Sequence, residues 1–326
     1  MKICVVGAGA IGGFLAVKLA QSGNQVSAVM RGAGLEAVRA RGMTLITADG
    51  ATHHTALEAT DRIADLGLQD IVILGMKAHQ VPAIAADIPA LLGPESMVVT
   101  MQNGVPWWYF QKHGGPHDGR RLETVDPGGA ISNFIDIERV IGGIAYPACE
   151  VAAPGVIRHI EGARFTVGEL DGSNTARIKL LGDTLRHAGF KAPIVSDIRA
   201  EIWIKLWGNL SFNPISALTR ATLVDICQFA PSRELAARMM REAQCIGEKL
   251  GIRFKVSLEQ RITGAEAVGR HKTSMLQDIE AGRPIELDAL LGAVLEMGRI
   301  TDTPTPNMEA VYALTALLDR SVQQPV

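Results

Sequence analysis

Paired cysteines and long apolar runs are both missing from this chain. Its 326 residues include only four cysteines, and no two of them have the spacing of a C-x-x-C motif: Cys4, Cys149, Cys227 and Cys245. They are predicted to be reduced thiols in a cytoplasmic protein. No uninterrupted apolar run approaches the roughly 18 residues that a membrane span needs. Met1 and Lys2 lead straight into an apolar segment, so no leader peptide is expected either.

The chain also has no excess of charge of one sign and few aromatic residues. It carries 32 basic and 34 acidic residues, for a formal net charge of −2. Such a balance argues against nucleic acid or an anionic membrane as a partner. His113 and His117 have a metal-ligand spacing, but they lie in a Gly/Pro-rich segment without a third candidate ligand, so no metal is predicted. The length suffices for two domains with substantial cores.

A glycine motif near the start of the chain is its most informative feature. The apolar run 2–6 leads into Gly7-Ala-Gly9-Ala-Ile-Gly12, and apolar residues at helical spacing follow. Strand, glycine turn and helix in this order are the context of a dinucleotide-binding loop. The turn lets the backbone approach a pyrophosphate at the helix N-terminus. The predicted cofactor contacts are Gly7, Ala8, Gly9, Ala10, Ile11 and Gly12.

An acidic residue is missing where an NAD site usually has one. After the second β-type run, Gln25 to Val29, the chain continues with Met30 and Arg31, and no carboxylate occurs between Gly12 and Glu36. An NAD site usually offers Asp or Glu here to the ribose hydroxyl. Arginine instead suits a phosphate. Arg31 therefore favours a 2′-phosphate and NADP as cofactor; an arginine that is merely solvated is the alternative.

The order of predicted elements indicates an α/β fold in two domains. Through residue 195, β-type runs alternate with helical segments, which predicts a Rossmann-type, doubly wound parallel sheet with helices on both faces. A helix is predicted over 81–92, antiparallel strands that close the sheet within 139–168, a helix over 173–188 and a last strand over 192–195. Beyond residue 196 only helical periodicity remains. The predicted domains are 1–195, which binds NADP, and 196–326, which is all-helical and carries substrate and catalysis.

A polar stripe crosses an otherwise apolar helix in the second domain. Lys205, Asn209 and Asn213 recur every four residues among large apolar side chains. Burying lysine and asparagine is costly unless they find partners, which a ligand-lined cleft supplies. A solvated amphipathic face is the alternative. Pro214 is predicted to end or kink this helix.

Three further polar residues stand at positions where ligands often bind. Lys77 and Asn103 each follow a β-type run, and the carboxyl ends of strands in open α/β sheets bind ligands. Glu286 falls in the first turn of a helix that Pro284 opens, where the helix dipole favours the carboxylate.

Taken together, these motifs resemble the ketopantoate reductase (2-dehydropantoate 2-reductase) family over nearly the whole chain. The matching segments are Gly7-Ala-Gly-Ala-Ile-Gly12-Gly, Lys77-Ala78, Gln102-Asn103-Gly104, Lys205-Leu-x-x-Asn209-x-x-x-Asn213-Pro214, and Ser274-Met-Leu-Gln-Asp278 with Glu286 eight residues on. The resemblance implies a C-terminal domain like that of 6-phosphogluconate dehydrogenase. It also implies hydride transfer from NADPH to ketopantoate, which makes pantoate for pantothenate and coenzyme A biosynthesis.

The resemblance also implies a role for each candidate residue. Lys205 would protonate the carbonyl oxygen and Glu286 would bind a substrate hydroxyl. Asn209, Asn213 and Ser274 would make further contacts to the substrate. Lys77, Asn103 and Arg31 would contact the cofactor. The physical chemistry agrees, because hydride arrival at a ketone builds an alkoxide that a positioned ammonium can stabilise and protonate.

Two features leave the substrate open. His271 stands where the family commonly has asparagine, and the segment 106–129 is long and aromatic-rich, with Trp107 to Phe110 expected to border the substrate entrance. A bulkier 2-oxo acid is one alternative, and a hydroxy-acid dehydrogenase of the 6-phosphogluconate or 3-hydroxyisobutyrate type is another. A non-catalytic NADPH sensor is a third. The sequence is also compatible with a homodimer.

Overall fold

The computed structural model describes residues 1–324, which form two compact units. The first contains Met1–Gln102, Trp107–Arg121 and Gly128–Ile198; the second contains Asn103–Pro106, Leu122–Pro127 and the chain from Arg199 onward. The border thus lies three residues beyond the predicted one. Two short segments expected in the first domain lie in the second unit, and one of them carries Asn103.

The first unit is built on a seven-stranded sheet and a smaller four-stranded one. The strands are β1 Lys2–Val6, β2 Gln25–Val29, β3 Met43–Ile46, β4 Thr52–Thr55, β5 Glu58–Thr60, β6 Gln69–Leu74, β7 Leu92–Thr100, β8 Val140–Ala145, β9 Ala148–Ala153, β10 Val156–Glu161 and β11 Phe165–Glu169. The large sheet has the order β11-β8-β7-β6-β1-β2-β5, and only β11 runs antiparallel to its neighbour. Its central strands are buried and rich in Val and Ile, as parallel strands covered on both faces usually are. The predicted Rossmann-type α/β class is confirmed.

The small sheet, of order β4-β3-β10-β9, corrects one prediction. The predicted pairing of 43–46 with the stretch around 53–56 is confirmed as the antiparallel pair β3–β4. Strands β9 and β10, expected to close the large sheet, instead belong to the small one, because β11 pairs with the edge of β8. Strand β10 packs closely on the first helix: a Cβ added to Gly13 would lie 2.7 Å from Ile157 Cγ1.

The second unit is all-helical in the part that the structure describes. The helices of the chain are α1 Ala10–Gln21, α2 Gly32–Arg41, α3 Ala176–His187, α4 Ile198–Thr219, α5 Leu223–Gln228, α6 Ala230–Lys249, α7 Leu258–Ala267, α8 Ser274–Glu280, α9 Ala293–Ile300 and α10 Pro306–Gln323. A π-helical turn, Asp288–Gly292, precedes α9. Within residues 1–324, no helix combines the length and the apolar character that crossing a bilayer requires.

Proline explains two predictions that are wrong. The stretch 81–92 is not an α-helix; it contains the 3₁₀ segment Ala85–Leu91, with Pro89 inside it. Proline lacks the N–H that an α-helical hydrogen bond needs. Instead of a strand over 192–195 the structure has an isolated bridge between Val167 and Ile194, because Pro193 cannot donate to a ladder.

At Pro214, by contrast, proline does not interrupt the helix: α4 continues through it to Thr219. Pro214 was predicted to end or kink the helix right after Asn213, and the structure contradicts an end there. An internal proline costs a helix about 3 kcal/mol. Here the side chains before and after it are buried, with Leu210 and Phe212 on one side and Ile215 and Ala217 on the other. Their packing offsets that cost.

The aromatic segment 107–110 is core and forms no exposed rim. Trp107 is 5% exposed, Trp108 1%, and Tyr109 and Phe110 are fully buried. Trp108 Nε1 donates a 2.9 Å hydrogen bond to Thr100 Oγ1 at the end of β7. The prediction that these rings border a substrate entrance is wrong, since they have almost no surface to offer a ligand.

Candidate active site

The glycine loop has a shape that admits a nucleotide. Gly7 takes a φ of +93°, and a Cβ there would lie 2.6 Å from Met76 N. A Cβ on Gly12 would lie 2.1 Å from Gly7 O, so the helix can approach the strand only without a side chain. A Cβ on Gly9 would meet nothing within 4 Å. Gly9, the N-cap residue of α1, therefore turns bare backbone toward open space, which is what a pyrophosphate needs.

Arg31 and Lys77 lie at the carboxyl ends of β2 and β6, as the sequence suggests. Arg31 is exposed and precedes α2. Lys77 is half-buried at the N-cap of the 3₁₀ turn Ala78–Gln80, where its N–H donates to Gln80 Oε1 over 3.3 Å. Gln102, whose sequence position alone indicates no role, donates from Nε2 to Leu74 O at 2.7 Å and to Met76 O at 3.3 Å. It thereby fixes the chain just ahead of Lys77.

The second unit brings Lys205, Asn103 and Glu286 into one hydrogen-bonded chain. Lys205 Nζ donates to Asn103 Oδ1 over 2.7 Å, and Asn103 Nδ2 donates to Glu286 Oε2 over 3.3 Å. The amide can serve both neighbours because its oxygen accepts and its nitrogen donates. Lys205 and Asn103 are 102 residues apart in sequence, and Asn103 and Glu286 are 183 apart. We call this chain the Lys–Asn–Glu relay.

The surroundings of Lys205 change its acidity. The residue retains some exposed surface, but protein groups densely surround its ammonium. Burial lowers the pKa of Lys205 from 10.5 to about 8, and the Glu286 carboxylate opposes part of that shift. An ammonium with this pKa is still mostly charged at neutral pH, and it releases its proton far more readily than an ordinary lysine does.

The π-helical turn holds the middle residue of the relay in place. Ala289 O, inside the turn, accepts a 2.8 Å hydrogen bond from Val105 N. Gly104 has a φ of +86°, and a Cβ there would lie 2.4 Å from the same carbonyl oxygen. Only glycine lets the segment 103–106 approach the turn this closely. The contact sets the position of Asn103 relative to Glu286, two residues before the turn begins.

The segment Leu122–Pro127 of the second unit is likewise hydrogen-bonded to α9. The backbone N–H groups of Glu123 and Thr124 donate to the two carboxylate oxygens of Glu296, at 2.9 and 2.8 Å. The hydroxyl of Tyr312 donates to Asp288 Oδ1 at 2.7 Å, so α10 also contacts the π-helical turn. Hydrogen bonds on two sides thus stabilise the region that carries Glu286.

The remaining candidate residues lie on α4, the helix that carries Lys205, or in and next to α8. Asn209 and Asn213 lie on α4 on successive turns after Lys205, and Asn213 is only 5% exposed. Ser274 is exposed and begins α8 after the capping residue Thr273. His271 is half-buried, and its backbone carbonyl accepts from Leu223 N at 3.1 Å.

The metal and cysteine predictions concern sites apart from the relay. The imidazoles of His113 and His117 both lie against Phe110, at 5.4 and 5.7 Å between ring centroids. Among residues 1–324 no group of three or more His, Cys, Asp or Glu side chains is arranged to hold a metal ion. All four cysteines are free, and burial raises the pKa of the Cys4 thiol to about 12.

Comparison with known proteins identifies the family. The profile described as ketopantoate reductase PanE/ApbA matches residues 3–107, and the profile of its C-terminal domain matches 197–319. The chain belongs to the ketopantoate reductase family. The resemblance seen in its motifs is thereby confirmed, together with the oxidoreductase class.

Individual relatives agree with this assignment. The chain is 55% identical to a 2-dehydropantoate 2-reductase of Mesorhizobium japonicum over 98% of both chains. The crystal structure of a ketopantoate reductase candidate from Ralstonia solanacearum MolK2 superposes with a TM-score of 0.94 at 39% identity over 98% of both chains. A D-mandelate dehydrogenase solved with NADH and anilino(oxo)acetate shares the fold, with a TM-score of 0.86 at 21% identity over 99% of this chain and all of that one.

Proposed function

We propose that this protein catalyses the NADPH-dependent reduction of ketopantoate (2-dehydropantoate) to pantoate. The observation that carries the proposal is the Lys–Asn–Glu relay, because a lysine with a pKa of about 8 can supply the proton that ketone reduction requires. The 55% identity to a 2-dehydropantoate 2-reductase over nearly the whole chain supports this substrate over other 2-oxo acids. The product would enter pantothenate and coenzyme A biosynthesis.

Lys205 acts as the general acid in this proposal. When bound, NADPH supplies the hydride that reduces the carbonyl carbon. The carbonyl oxygen then gains negative charge, and the Lys205 ammonium stabilises that charge and transfers a proton to it. Because an ammonium has three N–H donors, Lys205 can bond to the substrate oxygen while it continues to donate to Asn103.

Asn103 and Glu286 keep that ammonium charged and oriented. Glu286 favours the charged form of Lys205, which partly offsets the cost of burial. A carboxylate can accept several hydrogen bonds, so Glu286 can accept from a hydroxyl of the substrate while its Oε2 accepts from Asn103. Asn209, Asn213 and Ser274 are the proposed further contacts to the substrate.

The proposed cofactor site consists of the glycine loop with Ala8, Ala10 and Ile11, and of Arg31, Lys77 and Asn103. Gly9 offers the open backbone that a pyrophosphate needs. Arg31 is exposed at the end of β2, where a guanidinium can reach a 2′-phosphate. We propose NADPH on this basis, and a cytoplasmic location, which the four free cysteines support.

A steady-state assay tests the proposal. Purified protein is mixed with NADPH and, separately, with ketopantoate, 2-oxoisovalerate and phenylglyoxylate, and cofactor oxidation is followed by absorbance. We expect ketopantoate to give a kcat/KM at least about tenfold above the other acids, since the site would hydrogen-bond its hydroxyl. A preference for phenylglyoxylate would show that the substrate is a bulkier 2-oxo acid and not ketopantoate. NADPH binding without turnover of any acid would support the sensor alternative and reject the enzyme.

A further inference from the structure

A single π-helical turn, Asp288–Gly292, stands between Glu286 and α9. Such turns are rare, and those that interrupt an α-helix are frequently found at functional sites, because they change which backbone groups pair inside the helix. In an α-helix the carbonyl of Ala289 would point at the N–H four residues further on. Here it accepts from Val105 N over 2.8 Å. The geometry of the turn therefore bears on the segment that carries Asn103.

One side chain contacts both ends of this turn. The hydroxyl of Tyr312, on α10, donates to Asp288 Oδ1 at 2.7 Å. At the other end, a Cβ added to Gly292 would lie 3.1 Å from the same oxygen and 3.3 Å from Tyr312 Cε2. Because Gly292 has no side chain, the carboxylate and the phenol ring pack directly on its backbone. Tyr312 and Asp288 thus hold the first and the last residue of the turn together.

The Tyr312 hydroxyl keeps its proton over the pH range of an enzyme assay. Burial raises the pKa of Tyr312 to about 12, and the Asp288 carboxylate shifts this pKa in the same direction. The phenol is therefore a neutral donor at pH 6 to pH 10. Hydrogen bonds to a charged acceptor are shorter and stronger than those between neutral groups. The turn thus has a support outside its own helix that does not titrate in this range.

We propose that Tyr312 is a positioning residue for the reduction. Within residues 1–324 its hydroxyl bonds to Asp288 and to no member of the Lys–Asn–Glu relay. It acts at a distance: Tyr312 and Asp288 keep the π turn open, and the turn presents Ala289 O to Val105 N. That bond fixes Asn103, two residues earlier in the chain. For its effect on catalysis the inference rests on the proposed function, and for its effect on this segment it rests on the hydrogen bonds alone.

Steady-state kinetics of Tyr312→Phe, which removes the hydroxyl and keeps the ring, tests the effect on catalysis. We expect kcat for ketopantoate to fall about tenfold, because small displacements of catalytic groups are costly, and KM to change less than about twofold. The alkaline limb of the kcat/KM–pH profile should shift to lower pH, because a loosened relay couples Lys205 less tightly to Glu286. Thr315→Val is the matched control: Thr315 is buried on α10, and its hydroxyl donates to Val311 O in the same helix. It should leave kcat and the limb unchanged, and melting curves check that each variant is folded.

Hydrogen exchange read by mass spectrometry tests the same contacts without turnover. In Tyr312→Phe the peptide that covers 103–106 should exchange faster than in the parent and in Thr315→Val, because the Val105 N–H opens more often. Asp288→Asn keeps a carbonyl oxygen that can accept from Tyr312, so its exchange should stay closer to the parent's than that of Asp288→Ala. Parental exchange at 103–106 in Tyr312→Phe, or a kcat no lower than that of Thr315→Val, would overturn the proposal. If the unmodified protein reduces no 2-oxo acid, the proposed function fails by itself, and the exchange data alone decide whether Tyr312 positions this segment.

Discussion

The lowered pKa of Lys205 makes the pH dependence of catalysis a sharp prediction. A general acid must carry its proton, and burial lowers the pKa of Lys205 from 10.5 to about 8. A group with that pKa is about nine-tenths protonated at pH 7 and about one-tenth at pH 9. The kcat/KM for ketone reduction should therefore fall about tenfold per pH unit above pH 8. An ordinary lysine would instead give a flat profile to beyond pH 10.

Two variants separate Lys205 from other titrating groups. Because Glu286 raises the pKa of Lys205, Glu286→Gln should shift the alkaline limb of the kcat/KM–pH profile, the fall above pH 8, to lower pH. Glu280→Gln is the control, since Glu280 forms an exposed ion pair with Lys272 and should leave the limb in place. The assay is initial rate against pH under kcat/KM conditions, with NADPH saturating. A limb near pH 10 in the unmodified protein, or an equal shift in both variants, would refute the reasoning.

The same pKa shift predicts the effect of Lys205 on stability. The folded state binds this proton less tightly than the unfolded chain, so the free energy of unfolding rises as pH increases from about 8 to 10.5. One pKa unit corresponds to about 1.4 kcal/mol, and with the residue's remaining solvent exposure we expect about 1–2 kcal/mol in total. The free energy of unfolding of Lys205→Met should exceed that of the parent by this amount at pH 7, and the two should be equal above pH 10.5. Urea unfolding at pH 7 and pH 10.5 measures it; a variant no more stable than the parent at pH 7 would contradict it.

Three further predictions concern the close contact between Gly104 and Ala289 O, the buried indoles and the cofactor. Gly104→Ala should lower kcat about tenfold or more by displacing Asn103. Gly114→Ala is the control: Gly114 has a φ of +73° and nothing within 4 Å of an added Cβ, so the change should only cost about 1 kcal/mol of stability. Equal kcat in both variants would reject the idea that the contact of Gly104 with Ala289 O positions Asn103. Trp108→Phe should lower the free energy of unfolding, measured in urea, by about 1–2 kcal/mol more than Trp107→Phe does. The reason is that Trp108 Nε1 is hydrogen-bonded to Thr100, whereas Trp107 Nε1 has no partner within residues 1–324. Equal losses of stability in the two variants would contradict this. Arg31→Ala should raise the Kd for NADPH about tenfold to 100-fold in calorimetric titration and leave that for NADH unchanged; an equal loss for both cofactors would exclude a 2′-phosphate contact.

The parallel strands were the easiest part of the fold to predict. Strands β1 and β2 coincide with the predicted runs, Lys2–Val6 and Gln25–Val29. Each is a short apolar run with a glycine near its end, so local sequence determines it. The predicted helix over 81–92 is wrong because Pro89 removes an N–H that an α-helix would need there.

The relay could be predicted only in part, because its members are distant in sequence. Helical spacing alone indicated Lys205 and its neighbours on α4. The position of Asn103 after a strand predicts a ligand-binding residue, and the family resemblance places it beside the cofactor; its bonds to Lys205 and Glu286 span 102 and 183 residues. Its neighbour Gly104 was the one local signal, because Asn-Gly after a strand indicates a positive φ. Ala289 O gave no signal at all, as any residue type supplies a backbone carbonyl.

The aromatic segment 107–110 shows the limit of reading function from residue type. A Trp-Trp-Tyr-Phe run after a strand is compatible with a ligand rim and with a core. Burial decides between them, and burial depends on the rest of the first unit: a Cβ on Gly142 of β8, for example, would lie 2.8 Å from Trp108 Cη2. No local pattern encodes that contact.

Single-turnover kinetics of Lys205→Ala tests the central claim most directly. Enzyme in excess over NADPH is mixed with saturating ketopantoate, the absorbance decay gives the rate of hydride transfer, and mass spectrometry identifies pantoate. The account predicts that the variant binds NADPH with the parental Kd and reacts about 10² times or more slowly. A variant that folds, binds NADPH and forms pantoate at close to the parental rate would contradict it.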